Sequence, residues 1–143
     1  MRISDVVRRK GDVSVVTVRT DATVTELLAL LSEHRIGAVV VSDDGGSVHG
    51  IVSERDIVRH LHTDGADLLG APVSQIMTAD VHTCSLDDSL DDLESAMTER
   101  RIRHVPVVVD GQLHAIVSIG DVVKNRIGDL QAERDQLRDY IQS

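Results

Sequence analysis

Apolar residues along this chain follow two different periods. Val24, Leu27, Leu28 and Leu31 recur at the three- and four-residue spacing that lines one face of a helix. Thr23-x-x-Glu26, just ahead of them, has the reciprocal capping pattern that opens such a helix. The period then shortens: Val39-Val40-Val41 is a β-branched run, Asp43-Asp44-Gly45-Gly46 is a turn, and Gly50-Ile51-Val52 is a second short strand running into another helix. The same series returns downstream. Leu90, Leu93 and Met97 mark a helix opened by Ser89-x-x-Asp92, Val105 to Val109 a strand, Asp110-Gly111 a turn, and Ala115-Ile116-Val117 a strand that leads into a helix. With first strands at Val15 to Val18 and Val81 to Thr83, each unit reads β-α-β-β-α, led by a short helix.

The correspondence extends to residue identity. Shifted by 66 positions, Val15, Thr17, Asp21, Glu33, Arg35, Ile36, Val39 and Val41 fall on Val81, Thr83, Asp87, Glu99, Arg101, Ile102, Val105 and Val107. At a shift of 65, His49, Ile51, Val52, Ser53, Asp56 and Val58 fall on His114, Ile116, Val117, Ser118, Asp121 and Val123. The leading segments match as well, Ile3-Ser4-Asp5-Val6-Val7 against Val73-Ser74-Gln75-Ile76-Met77. This is a duplication. The expected organisation is one module over residues 1–62, a Gly-, Ala- and Asp-rich link over 63–72, a second module over 73–126 and a helical extension over 127–143. Units this small bury too little surface alone, so the two are expected to pack about a pseudo-twofold axis as an α/β (α+β) fold.

Composition narrows the function. A formal charge of −9 and a single aromatic residue, Tyr140, argue against nucleic acid as a partner, since both phosphate attraction and base stacking are missing. No apolar run reaches the roughly 18–20 residues of a membrane span, and Met1-Arg2-Ile3-Ser4-Asp5 lacks a signal-peptide pattern, which predicts a cytoplasmic location and no membrane partner. Cys84 is the sole cysteine, expected to be a buried inert thiol. His60 and His62 alternate at a helix end without a third ligand and read as surface residues rather than a metal site.

Two segments carry the chemistry. Gly50-Ile51-Val52-Ser53-Glu54-Arg55-Asp56 and Ala115-Ile116-Val117-Ser118-Ile119-Gly120-Asp121 both resemble the Gly-hydrophobic-x-Ser/Thr-x-x-Asp signature of cystathionine-β-synthase-type (CBS) modules. Arg35 to Val41 and Arg101 to Val107 resemble the second strand of that family, Pro106 included. The resemblance covers about residues 3–126 and implies a pair of modules with two clefts that take adenosine-containing ligands. It implies that Asp56 and Asp121 hold ribose hydroxyls and that Ser53 and Ser118 lie near the ribose or phosphates. A carboxylate accepts two hydrogen bonds from a vicinal diol, and a helix N-terminus at that point favours phosphate. The competing reading is that each Ser-x-x-Asp only caps its own helix, and the two roles are compatible.

The copies differ at the start of the second strand, Gly37-Ala38 against Arg103-His104. Arg103 and His104 are candidate phosphate contacts, Gly37 and Ala38 candidate space for a base, and Arg55 is the cation inside the first signature. Thr17 and Thr83 are candidate neighbours of adenine or ribose, with ordinary strand threonine as the alternative. Unequal sites are expected, the one reached by Arg103 being the better phosphate binder.

Past the second module, Val123, Ile127, Leu130, Leu137 and Ile141 follow a heptad seam interrupted by Arg134. It predicts a helix packed on a partner subunit, making a homodimer, against the alternative of folding back on its own module. The resulting expectation is a regulatory sensor, without catalytic cofactor, that binds AMP, ATP or NAD and signals to an effector protein. Alternatives are a structural dimerisation module with degenerate clefts, or a binder of S-adenosylmethionine or metal. An enzyme is not expected, because no catalytic constellation, phosphate loop or metal triad is present in the sequence.

Overall fold

The computed structural model describes residues 1–11 and 15–142. The first copy contains α1 (Ile3–Lys10), β1 (Thr17–Val18), α2 (Val24–His34), β2 (Ala38–Val41), β3 (Gly50–Ser53) and α3 (Glu54–Asp64). The second contains α4 (Leu90–Arg100), β4 (His104–Val109), β5 (Gln112–Ser118) and α5 (Ile119–Gln142). β1 runs parallel to β2, and β2 antiparallel to β3 with Ala38 opposite Ser53. In the second copy β4 and β5 pair antiparallel with His104 opposite Ser118, the equivalent register.

One predicted strand is missing. Val81 to Thr83 has no strand structure; only Cys84 forms a single parallel bridge, to Val107. Pro106 is the reason. The parallel rung Thr17–Val40 in the first copy needs the Val40 N–H, and Pro106 stands at the matching place with no N–H to donate. The rung beyond it survives, with Cys84 N–H donating to Pro106 O at 3.0 Å and Val108 N–H to Cys84 O at 2.9 Å. Cys84 is buried there, and desolvation, with Asp88 nearby, pushes its thiol up to about 12.

The helix caps follow the sequence closely. Thr23 accepts from the Glu26 N–H at 3.1 Å while Glu26 accepts from the Thr23 N–H at 3.2 Å, a complete capping box. Ser89 accepts from the Asp92 N–H at 3.1 Å. There the return bond is absent among the described residues, so the predicted box is one-sided.

Each copy completes the other's core. Ile3 and Val6 of α1 are buried with Leu90, Leu93, Met97, Val105 and Val117 of the second copy. Val73 and Ile76, the matching leader of the second copy, are buried with Val24, Leu27, Leu31, Val39 and Val52 of the first. The backbone bonds repeat this exchange: Ile3 N–H to Asp88 O at 2.9 Å and Leu90 N–H to Met1 O at 2.9 Å on one side, Val24 N–H to Ala71 O at 3.0 Å and Val73 N–H to Ala22 O at 2.7 Å on the other. Neither unit could close its apolar face alone. The segment between the copies is itself structured. Gly65–Gly70 forms a 3-10 turn whose Leu68 enters the first core.

The leaders diverge after their first turn. The second one leaves its short helix through a turn at Ile76, and Thr78 exchanges backbone bonds with Ile51 at 3.0 and 2.8 Å. A Cβ at Gly50 would lie 2.6 Å from Met77 Sδ and 2.9 Å from Thr78 O, so glycine is required there. The first leader remains helical to Lys10, and the matching position in β5 accommodates Ala115.

Candidate functional site

Both signature segments place their Ser at the end of a strand and their Asp in the first turn of the following helix. Ser53 caps α3, and Asp56 closes the box: Ser53 N–H donates to Asp56 Oδ2 at 2.9 Å and Ser53 Oγ donates to the same oxygen at 3.1 Å. At the β5–α5 junction, Asp121 N–H donates to Ser118 Oγ at 3.2 Å and Ser118 N–H to Asp121 Oδ2 at 2.9 Å. The capping role is therefore real at both signatures. It uses one oxygen of each carboxylate and leaves Oδ1 without a hydrogen bond among the described residues. Capping and ligand binding do not compete for the same atom.

Beside the β5–α5 junction the two copies border a cavity of about 600 Å³. α1 and its C-cap supply Val7, Arg8, Lys10 and Gly11; the first copy supplies Val15, Val16 and Arg35 to Ala38; the second supplies His104, His114 to Ile116 and Ser118. Apolar side chains and backbone form most of the wall, with a few polar groups at the edge, as in sites for small organic ligands. Arg35 caps α2 in the left-handed conformation at φ 54°, which turns the chain directly into Gly37 and Ala38. Arg101 does the same after α4 at φ 55°.

Lys10 organises the edge. Its Nζ donates to Asp121 Oδ2 at 2.9 Å and to the Ile116 carbonyl at 2.8 Å. Burial pushes the Asp121 carboxyl up, but the Ser118 N–H and the Lys10 ammonium together outweigh it and hold Asp121 below the ordinary carboxylate range. Across the strand pair, burial and then the Lys10 charge push His104 below its ordinary value of 6.5, so its ring is neutral at neutral pH. Arg9 adds a second tie between α1 and α5: it donates to Asn125 Oδ1 at 3.0 Å, and Asn125, nearly buried, donates to Asp121 O at 2.8 Å.

Of the residues singled out in the sequence, Gly37, Ala38, His104 and Ser118 line this cavity, and Asp121 meets it through Lys10. Thr17, Ser53, Arg55, Asp56, Thr83, Arg103 and Pro106 are not part of its lining. Ser53 and Asp56 lie at the equivalent junction of the first copy, and Arg55 is exposed beside them. Thr17 sits in β1, next to the lining residues Val15 and Val16. Thr83 is exposed, Pro106 is buried in β4, and Arg103 is exposed with its carbonyl accepting the Ile119 N–H at 2.8 Å. Sequence reasoning missed Arg8 and Lys10 as site residues. The basic run Arg8-Arg9-Lys10 at the end of the first leader was the available signal.

α5 leaves the module as one continuous helix. Val122 and Asn125 face inward. The seam faces out: Val123 is 49% exposed, Ile127 50%, Leu130 and Leu137 64% each, and Ile141 80%. The helix does not fold back on its own module.

No helix among the described residues is long and apolar enough to cross a membrane, and no three His, Cys, Asp or Glu side chains among them converge as metal ligands. Comparison with known proteins places this architecture. The CBS domain profile matches residues 3–63 and 73–128. The mitochondrial CBS domain-containing protein CBSX3 of Arabidopsis thaliana is 35% identical over 98% of this chain and 71% of its own length. The crystal structure of the CBS-domain containing protein ATU1752 from Agrobacterium tumefaciens superposes with a TM-score of 0.84 at 45% identity, over 88% of this chain and 99% of that one. The CBS domain pair of protein MJ0100, solved in complex with 5-methylthioadenosine and S-adenosyl-L-methionine, shares the fold at a TM-score of 0.76 and 24% identity, over 87% of this chain and 98% of that one. With both copies matched and the duplicated architecture shared, this chain belongs to the CBS domain family and carries two CBS domains in tandem.

Proposed function

We propose that this CBS pair is a cytoplasmic regulatory sensor that binds an adenine nucleotide of the AMP, ATP or NAD kind and conveys occupancy to an effector protein. The cavity between the two copies carries the proposal: it has mostly apolar walls, and its lining residue Lys10 holds the ionised Asp121 just behind the wall, with Oδ1 left to accept hydroxyl hydrogens. A ribose diol suits that carboxylate, and a flat base suits the space beside Gly37 and Ala38. The adenosine-type ligands of the MJ0100 pair support the same chemical class.

The route for signalling starts at Asp121. It stands in the first turn of α5, and α1 is tied to that turn through Lys10 and Arg9. A ligand that prefers one arrangement of these groups shifts the pair toward it, and α5 carries the change outward. The exposed seam of α5 is proposed as the homodimer contact. That seam also favours a second reading, a dimerisation module whose clefts bind nothing.

Calorimetric and thermal-shift titration with AMP, ADP, ATP, NAD and S-adenosylmethionine separates the two. Saturable stabilisation that grows with dose is expected for a sensor, about 2.7 kcal/mol at a hundredfold excess over Kd. Silence across the panel on nucleotide-free protein leaves the dimerisation reading.

A further inference from the structure

The two carboxylates of the duplicated signature stand in opposite electrostatic settings. Asp121 is paired with Lys10, with both side chains about three-quarters withdrawn from solvent, at 28% and 21% exposure. Asp56 accepts only from Ser53, and no cation lies within ion-pair distance of it among the described residues. Under the alignment of the two leaders, the counterpart of Lys10 is Asp80. The cation beside Asp56 is Arg55, which is exposed and makes no ion pair with it among the described residues.

We propose that Lys10 makes the Asp121 cleft selective for a phosphorylated nucleoside over an uncharged or cationic one. The inference rests on the adenine-nucleotide reading of that cleft and adds its charge rule. An ammonium has three donors, and Lys10 uses two of them, on Asp121 and on the Ile116 carbonyl. Asp121 in turn keeps Oδ1 open. A ligand that carries a diol and a phosphate satisfies both remaining groups at once, the diol on Oδ1 and a phosphate oxygen on the third ammonium proton. The ammonium also offsets the carboxylate charge that would otherwise repel the phosphate a few ångströms away. Adenosine supplies only the diol. A sulfonium brings a positive charge against Lys10. The long flexible stem of lysine lets the ammonium follow the phosphate without leaving the carboxylate.

The test is calorimetry of wild type, Lys10→Met, Lys10→Gln and Lys10→Arg with AMP, adenosine and S-adenosylmethionine, with a melting curve for each variant. Losing one charge-assisted bond should weaken AMP about tenfold to a hundredfold in Lys10→Met and Lys10→Gln. Adenosine should change by no more than about twofold in the same variants, because it never met the ammonium. Lys10→Arg should retain most of the AMP affinity. Equal losses for AMP and adenosine would overturn the proposal, since Lys10 would then act only by positioning Asp121. Unchanged AMP affinity in both neutral variants would overturn it too. Wild-type protein that binds none of the three ligands would instead bring down the nucleotide reading itself, a result visible before any variant is made.

Discussion

His104 and Asp121 both stand in the field of Lys10, and both contribute stability that is lost as the pH falls. His104 is held neutral by burial and by Lys10. Its folded value lies below its unfolded one, so the unfolded chain binds the extra proton first as the pH falls. The stability that His104 contributes is complete above about pH 6.5 and declines as the pH drops toward its lowered folded value. His104→Gln should flatten the melting temperature against pH in that mildly acid window, and an unchanged slope would place the pH response elsewhere. Asp121 is also depressed, so its contribution is present above the unfolded carboxylate range and is lost as the pH falls through the folded value. Because Asp121 accepts from both Ser118 and Lys10, replacing it outright disturbs the helix start as well as the ligand. Asp121→Asn keeps an acceptor for the Ser118 N–H. It should weaken nucleotide binding about tenfold or more at a stability loss of about 1 kcal/mol, read by calorimetry and by thermal melts.

At the scale of elements, small departures from symmetry between the copies have identifiable causes. Pro106 removes one N–H and the first strand of the second copy shrinks to a single bridge. Gly50 admits the crossing chain at Met77 and Thr78, whereas Ala115 stands where a helix runs past instead. Gly50→Ala forces that crossing apart, because one of the clashing atoms is backbone. It should cost about 1–3 kcal/mol in chemical denaturation. An equal stability for Gly50→Ala and wild type would mean that the crossing shifts freely. The repeated elements themselves were legible in the sequence: the capping residues Thr23, Ser53 and Ser89 all cap, because a cap depends only on neighbours three positions away. The lost strand at Val81 to Thr83 was legible in principle too, in Pro106, but only once the parallel partner of Thr83 is known.

For the whole molecule, the exposed seam of α5 sets the clearest expectation. Leu130 and Leu137 lie mostly in solvent on a helix with no contact to its own module at those positions that would cover them. Paired charge substitutions Leu130→Asp and Leu137→Asp should lower the oligomeric state in sedimentation while leaving the melting transition of the modules within about 0.5 kcal/mol, as for surface changes generally. Unaltered sedimentation would remove the seam from the interface.

What the sequence determined by itself is the set of properties carried by short-range pattern. The duplication, the order of helices and strands, the caps and the Ser-x-x-Asp junctions all depend on residues close together along the chain. The tertiary structure decided which copy each leader serves and which residues meet in the cleft. Ile3 and Val6 complete the second core and Val73 and Ile76 the first, an exchange that periodicity cannot express because both leaders carry the same apolar spacing. Lys10 reaches Asp121 across 111 positions for the same reason: only the exchanged packing of α1 brings the end of that helix to the start of α5. Local pattern chose the parts, and burial of surfaces that neither copy could cover alone brought them together.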